Sequence, residues 1–157
     1  MKNCLYILTL LIFLQQLHSE EFFPPDGKSL DYVNIFFEWP QMSSGEIDYL
    51  LYLYNLTTDT NWVSLHTINA YLPEEFLEWG MEYRWQICYT STQGSDCLEP
   101  IFFSINDLPE SYPDDIQVHQ LNDEEYTPGL NFVVIYNSGN TFVMDKVGNP
   151  IWYFDKS

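Results

Sequence analysis

Residues 81–89 have the sequence Met81-Glu82-Tyr83-Arg84-Trp85-Gln86-Ile87-Cys88-Tyr89, and this stretch decides the fold class. Every second residue from Met81 to Tyr89 is apolar, whereas Glu82, Arg84 and Gln86 between them are polar. A period of two is typical of a β-strand with one buried face, because successive side chains of a strand point to opposite sides of its sheet. The stretch therefore predicts a long strand that lies on a hydrophobic core.

Other short apolar runs predict further strands on both sides of this one. Residues 33–39 alternate in the same way, and more runs occur at residues 48–54, 62–65, 67–72 and 101–105. Between the runs lie prolines that remove no hydrogen bond from a sheet, namely Pro24, Pro25, Pro40, Pro73 and Pro100. Six or seven short strands separated by turns predict an all-β fold, and specifically a β-sandwich.

The charge balance limits the classes of partner. The chain has 157 residues, of which 46% are hydrophobic and 18% aromatic, with 5 Lys and Arg against 23 Asp and Glu and a formal net charge of -18. So much apolar surface argues for a folded domain rather than a disordered acidic tail. Five cationic side chains cannot form a stripe that follows phosphates, so we expect neither nucleic acid nor an anionic membrane surface as a partner.

The first nineteen residues predict a secretory signal peptide. Lys2 gives a basic start, Cys4 to Leu14 form an apolar run of eleven residues, and a polar stretch ends on Ser19. Such a run is too short to cross a bilayer, although a retained membrane anchor is the alternative. Removal of residues 1–19 leaves 138 residues with 4 basic and 23 acidic side chains, a formal charge of -19. We expect a secreted or periplasmic protein with no membrane segment after cleavage.

Export also bears on the two cysteines that remain. Cys88 and Cys97 are separated by eight residues with a turn-forming centre. An oxidising compartment favours a disulfide between them, which would close a hairpin, and two unpaired thiols are the alternative. A zinc site is disfavoured because no histidine lies near the pair and two sulfurs are half of a structural site.

Residues 20–105 resemble a fibronectin type III domain. The resemblance depends on Pro24-Pro25-Asp26-Gly27, on Trp39 at the end of an alternating run, and on the spacing of Leu77, Gly80 and Tyr83. It implies that Trp39 is the tryptophan of strand B. It also implies a tyrosine corner, in which the Tyr83 hydroxyl bonds to the backbone of the preceding loop and fixes the crossover between two sheets. Such a resemblance concerns the fold and is nearly silent on function.

The pattern changes after residue 105. Residues 106–125 predict an acidic linker with two prolines, and residues 126–157 predict a separate unit with strands at 131–136, 141–145 and 150–154. Three such strands joined by short turns form an antiparallel meander. Because a lone meander is marginal in water, we expect the chain to be the front of a longer protein that ends in an incomplete first blade of a β-propeller.

The hairpin from Thr141 to Trp152 resembles the inner hairpin of a propeller blade, in which Asp145 opens a turn that Gly148 closes. With residues 126–132 and the exported sandwich before it, this hairpin resembles the entry to the propeller of arylsulfotransferases. The resemblance implies transfer of sulfate from a phenolic sulfate donor to a phenol acceptor through a sulfohistidine. That histidine would lie in the missing C-terminal propeller, so this portion alone is expected to be inactive.

No residue of the chain is predicted to be catalytic or to bind a cofactor or metal. His18 leaves with the signal peptide, and His66 and His119 are interpreted as ordinary surface or edge histidines. The clusters 114–115 and 123–125 are interpreted as a solvated acidic face, because their spacing matches no calcium-binding loop. Asn55, in Asn55-Leu56-Thr57, is a candidate glycosylation site in a eukaryote and otherwise a turn residue.

The alternative function is a non-enzymatic secreted module that binds a surface or a carbohydrate. Aromatic side chains stack on sugars when they are exposed, and Trp62, Tyr71 and Trp79 are the candidates for such a platform. Packing in the core or at the tyrosine corner is the competing explanation for the same residues. The sequence therefore predicts two functions of different class, an exported sulfotransferase front portion and a binding module.

Overall fold

A computed structural model describes residues 22–42, 47–75, 77–92, 94–110, 112, 131–134, 141–145 and 147–154. Every regular element in these ranges is a β-strand, and the predicted all-β fold is confirmed. The predicted signal peptide (1–19), the segment 126–130, the acidic clusters 114–115 and 123–125, and His119 lie outside the described residues. Within the described part of the chain, no helix has the length and apolar character needed to cross a bilayer.

Two sheets form the sandwich. The larger has the order β1-β8-β6-β3-β4, with β7 also paired to β6, and its strands are β1 (Lys28–Leu30), β3 (Asp48–Asn55), β4 (Thr60–His66), β6 (Glu82–Ser91), β7 (Gly94–Cys97) and β8 (Ile101–Ile105). The pairs are antiparallel except β1 with β8, which is parallel. The smaller sheet pairs β2 (Phe37–Glu38) with β5 (Ala70–Tyr71), and a bridge from Phe23 to Glu38 extends it.

The core lies where the inner faces of these sheets meet. Tyr83, Trp85 and Ile87 of β6 are buried as their alternation predicts, and they face side chains from the smaller sheet. The Phe37 and Trp85 ring centroids are 5.3 Å apart in an edge-to-face contact, and those of Trp39 and Tyr49 are 5.5 Å apart. Aromatic pairs in this geometry add to the free energy gained from burial alone, so these contacts join the two sheets.

The residues of the predicted tyrosine corner lie together at the entry to β6. The Tyr83 hydroxyl accepts a hydrogen bond from the Glu78 backbone N–H at 2.9 Å, and Leu77 is buried beside it. Gly80 has φ +72°, a left-handed conformation that favours glycine, and a Cβ there would collide with the Asp107 carboxylate. Burial is the main cause that raises the pKa of Tyr83, so its hydroxyl stays protonated.

Two predicted strands are shorter in the structure because other groups take their hydrogen bonds. Residues 33–39 bury the predicted face, but only Phe37–Glu38 is a strand, since Val33 donates to Ile151 and accepts from Leu77. Of residues 67–72 only Ala70–Tyr71 is a strand. Beyond it the Trp39 N–H still donates to the Asn69 carbonyl at 3.2 Å, but the Trp39 carbonyl accepts from the Asn69 side-chain amide. Strand β1 has no predicted counterpart, since Leu30 is its one buried residue.

The third sheet has the order β11-β10-β9 and consists of β9 (Asn131–Val134), β10 (Thr141–Met144) and β11 (Pro150–Phe154). It is the meander that the sequence predicts, and its edge strand β11 contacts the sandwich. Val33 donates to the Ile151 carbonyl at 2.9 Å, and Tyr153 donates to the Asp31 carbonyl at 3.1 Å. The described start of the predicted linker lies at the same junction, because the Tyr153 hydroxyl donates to the Asp107 carbonyl.

The predicted disulfide is present and closes the hairpin of β6 and β7. Cys88 and Cys97 are direct cross-strand partners with Cα atoms 3.9 Å apart. Disulfides persist in oxidising environments, so this bond is compatible with an extracellular location.

We expect Tyr83→Phe to lower the free energy of unfolding by about 1–2 kcal/mol, because the Glu78 N–H loses its acceptor at a buried site. Urea denaturation followed by tryptophan fluorescence measures this loss. Tyr52→Phe is the matched control, since Tyr52 is half-buried on the outer face of β3 and takes no part in the corner. Equal stability of the two variants would contradict a structural role for the corner.

Candidate functional site

An open cleft of about 660 Å³ lies at the edge of the sandwich, between the inner face of β3 and β4 and the chain that follows β5. The larger sheet extends outward to β4, but among the described residues the smaller sheet ends at the two residues of β5 and does not cover the inner face of β4. The floor of the cleft is formed by buried side chains, namely Leu51, Leu53, Leu77 and Tyr83. A cavity of this size is in the range that takes a small ligand or a few side chains of a larger one.

Strand β4 supplies one wall of the cleft. Trp62 is directly opposite Leu53, and Ser64 is directly opposite Leu51, so both share the inner face of the sheet with those buried leucines. The Trp62 side chain is nevertheless 47% exposed, because no strand of the described smaller sheet reaches it. An exposed indole beside an apolar floor is a surface on which an aromatic, aliphatic or cationic group can stack.

The chain after β5 supplies the opposite wall. Tyr71, Leu72 and Pro73 continue the apolar lining, and Glu74, Glu75 and Glu78 follow as exposed side chains at the rim. No lysine or arginine is among the described lining residues. With the net charge of -18 on the whole chain, this arrangement gives the cleft a negative potential that attracts cations and repels anions.

The single arginine of the chain lies on the other side of the larger sheet. Arg84 is opposite Tyr54, and its guanidinium carbon is 4.2 Å from the centroid of the Tyr54 ring. Tyr54 alternates with the inward-facing Leu53, so this cation–π pair is on the outer face. Arg84 therefore does not neutralise the carboxylates of the cleft by direct contact.

His66, at the end of β4, packs among aromatic rings next to the cleft. Its ring centroid is 4.3 Å from that of Tyr71 and 5.9 Å from that of Trp39, and its Nε2 is 2.7 Å from the Ser64 hydroxyl oxygen. Burial lowers the pKa of His66, because desolvation disfavours the charged imidazolium. These surroundings fit a packed edge histidine, whose ring packs against Tyr71 and Trp39 and bonds to the Ser64 hydroxyl.

The structure separates the three aromatic residues that the sequence offers as a sugar platform. Trp62 and Tyr71 line the same cleft, whereas Trp79 is half-buried at the junction with the third sheet. There its Nε1 donates to the Pro150 carbonyl at 3.2 Å, and its ring lies 5.5 Å from that of Tyr153. Trp79 therefore stabilises the junction and is not available as a binding surface.

Asn55, the candidate glycosylation site, has a side chain that is only 2% exposed. Its Oδ1 accepts hydrogen bonds from the backbone N–H groups of Thr57 and Thr58 at 3.0 and 3.1 Å. This side chain caps the turn between β3 and β4, as turn asparagines commonly do. Its burial disfavours a glycan on this residue and favours the turn interpretation.

The predicted hairpin turn of the third sheet is built around Asp145. One of its carboxylate oxygens accepts from the backbone N–H groups of Val147 and Asn149 at 2.9 and 2.8 Å, and the other accepts from the Asn149 side chain. Gly148 has φ +95°, which a residue with a side chain rarely adopts. Asp145 and Gly148 therefore shape the turn and do not form part of the cleft.

No group of three or more His, Cys, Asp or Glu within the described ranges is placed to hold a metal ion.

Sequence reasoning missed Glu74, Glu75 and Glu78, because an acidic stretch after a strand is typical of an ordinary solvated loop. The apolar residues Leu72, Pro73 and Leu77 are interspersed with these glutamates in the sequence, and this pattern could have indicated an amphipathic wall.

We expect the protein to lose stability as the pH falls below 6.5, partly through His66. A lowered folded pKa means that the unfolded state takes up the proton first, so the stabilising contribution is full above pH 6.5 and is lost as the pH falls through the folded pKa. His66→Gln removes this contribution, and its thermal midpoint should fall less than that of the original protein between pH 7.5 and pH 5.5. The titration of the carboxylates is common to both proteins, so identical slopes would show that His66 does not contribute.

No protein-family model matches this chain, and no curated protein matches it either. The resemblances to a fibronectin type III domain and to the entry of an arylsulfotransferase propeller therefore remain predictions from motifs.

Proposed function

We propose that this chain is an exported, non-enzymatic binding protein whose sandwich takes a ligand in the edge cleft. The observation that carries the proposal is the cleft itself, where buried leucines, an exposed Trp62 and three glutamates face one volume of about 660 Å³. The predicted signal peptide and the Cys88–Cys97 disulfide support export. The strand order and the Tyr83 corner support the resemblance to a fibronectin type III domain.

The lining supports one chemical class of ligand. Its apolar floor favours an aliphatic or aromatic body, because apolar surface that leaves water contributes roughly 25 cal/mol per Å². The face of Trp62 and the carboxylates of Glu74, Glu75 and Glu78 favour a cationic group. The ligand is therefore a molecule that has an apolar body and a positive charge, and anionic ligands are rejected.

A neutral carbohydrate is the other ligand class for this cleft. The observation in its favour is that Trp62 and Tyr71, two of the three aromatic candidates, line one cavity. Sugars carry hydroxyl groups that need polar partners, however, and the floor offers leucine side chains. We therefore prefer an apolar cation, and a neutral oligosaccharide is one arm of the binding experiment.

The second candidate function is the front portion of an exported arylsulfotransferase. The geometry of the Asp145 turn, with Gly148 at positive φ, supports the resemblance to a propeller hairpin. The contact between β11 and residues 31–33 supports a sandwich that accompanies the propeller as an accessory domain. The sulfohistidine of that mechanism would lie outside these 157 residues.

We expect phenethylamine to bind more tightly than its neutral analogue phenethyl alcohol, and phenylpropionate not to bind. Titration followed by tryptophan fluorescence and by the indole N–H resonance of Trp62 measures this order. Trp62→Ala should weaken binding of the amine about tenfold, which is roughly 1.4 kcal/mol, because it removes the stacking face. Glu75→Gln should reduce the preference for the amine over the alcohol and leave binding of the alcohol unchanged.

Phe132→Ala is the matched control for Trp62→Ala, because Phe132 is an aromatic residue that is 71% exposed on β9 and is not among the cleft residues. Its affinity for phenethylamine should equal that of the original protein. Equal binding of amine and carboxylate, or unchanged binding by Trp62→Ala, would contradict the cation-binding cleft. If none of these probes binds, if a neutral oligosaccharide does bind, and if Trp62→Ala abolishes binding of the oligosaccharide, the carbohydrate alternative is established instead.

For the second candidate, we expect sulfate transfer from 4-nitrophenyl sulfate to phenol by the chain together with the sequence that follows residue 157 in its gene. Residues 1–157 alone should release no 4-nitrophenol. The absorbance of 4-nitrophenolate, with and without phenol as acceptor, measures the transfer. A stop codon directly after Ser157, or a folded longer protein that transfers no sulfate, would contradict this function.

A further inference from the structure

Strand β4 is a sheet edge of unusual composition. It is the last strand on its side of the larger sheet among the described strands, and it is 7 residues long, with the sequence Thr-Asn-Trp-Val-Ser-Leu-His. Proteins usually protect such an edge with a charged side chain, a proline, a bulge or a short strand, because its free N–H and C=O groups can pair with another chain. Strand β4 has no Lys, Arg, Asp, Glu or Pro, and its register with β3 shows no shift over its full length.

Both faces of this edge expose apolar side chains. On the inner face Trp62 is beside the cleft, and on the outer face Val63 and Leu65 are 54% and 63% exposed. Val63 is opposite Tyr52 and Leu65 is opposite Leu50, so the apolar surface continues from β4 onto the outer face of β3, toward the middle of the sheet. An additional strand beside β4 would therefore cover apolar groups on both of its faces.

We propose that β4 is a docking site for an extended segment of a partner protein, which adds to the sheet as a further strand and carries alternating apolar and basic residues. The proposal depends on the proposed function, because it assigns the occupant of the same cleft. Side chains of an added strand alternate between the two faces of the sheet. Its apolar residues would lie on the outer face beside Val63 and Leu65, and its basic residues would lie on the inner face.

The cleft fits a basic side chain better than a purely apolar one. The aliphatic part of a lysine or arginine can lie along Trp62 and the apolar wall, while its charged end reaches the glutamates at the opposite rim. The three glutamates Glu74, Glu75 and Glu78 match the charge of the three basic residues that an alternating seven-residue strand with apolar ends would place on this face. Charge complementarity of this kind raises association rates and selects among partners.

A second copy of this chain is a poor occupant of the same edge. Each copy has a formal charge of -18, and pairing of two β4 strands would bring the glutamate rims of both copies to one interface. Like charges that face each other across an interface cost free energy and reject that partner. The charge of the chain therefore favours a basic partner segment over self-association.

The experiment uses the peptide acetyl-Val-Lys-Val-Arg-Val-Lys-Val-amide and two derivatives with N-methylated backbones. One derivative is methylated at the valines and the other at the basic residues, so each blocks the N–H groups of one edge and keeps every side chain. We expect the parent peptide to bind, one derivative to bind at least about tenfold more weakly, and the other to bind like the parent. Titration calorimetry measures the affinities, and hydrogen exchange should show new protection of β4 backbone amides.

Protein variants test the same contact from the other side. Leu65→Lys adds to the outer face of β4 a charge of the kind that protected edge strands carry. It should weaken binding of the parent peptide about tenfold. Phe132→Lys makes a matched change on β9 and should leave binding unchanged. A peptide in which glutamate replaces every basic residue should not bind, and higher salt should weaken the parent peptide.

Other results would overturn strand addition. If both methylated peptides bind like the parent while phenethylamine still binds, the cleft binds cations but β4 does not pair with a strand. If neither the peptides nor phenethylamine bind the folded protein, the proposed function fails as well. If β4 amides become protected as the concentration of the protein alone rises, with a doubled mass in light scattering, a second copy is the occupant.

Discussion

The contact of Phe37 and Trp39 with the inner face of the larger sheet is the interaction on which the rest of the structure depends. Phe37 meets Trp85 and Trp39 meets Tyr49, so two neighbouring positions of one short segment pack against two strands of the opposite sheet. The smaller sheet has few hydrogen bonds of its own, since β2 and β5 share two residue pairs. Aromatic packing therefore holds the smaller sheet in place more than its backbone hydrogen bonds do. Burial of the aromatic side chains is what allows so small a sheet to cover the centre of the core.

The small size of this sheet has a consequence at the edge of the sandwich. Because β5 has two residues and no described strand pairs beyond it, the described part of the smaller sheet does not extend beneath β4. The inner face of β4 and the floor leucines then remain open toward the chain that carries Glu74, Glu75 and Glu78. The cleft and the uncovered edge strand thus have one origin, a mismatch in width between two sheets that pack at their centre. An enclosed sandwich with the same core would offer none of these surfaces.

Much of the fold could be predicted from the sequence, and the site could not. The strict alternation in residues 81–89 determines which face of β6 is buried, and the spacing from Leu77 to Tyr83 brings the hydroxyl to the Glu78 N–H. The hairpin closed by Cys88 and Cys97 could likewise be predicted, because the two cysteines flank a turn. The cleft depends instead on how far the smaller sheet extends, and the segments around that sheet make tertiary contacts, such as those of the Asn69 side chain with the Trp39 carbonyl and of Val33 with β11. Neither contact has a local pattern in the sequence.

Trp79 belongs to the periphery of two hydrophobic clusters, one in the sandwich and one formed by Phe142, Met144 and Tyr153 of the third sheet. Backbone bonds from Val33 and Tyr153 join the same two parts. Loss of either part would remove packing from the other, so the two would melt in one cooperative transition despite the acidic stretch between them in the sequence. A protease that cut within residues 113–130 would then release no fragment, and the two pieces would stay associated until the protein was denatured.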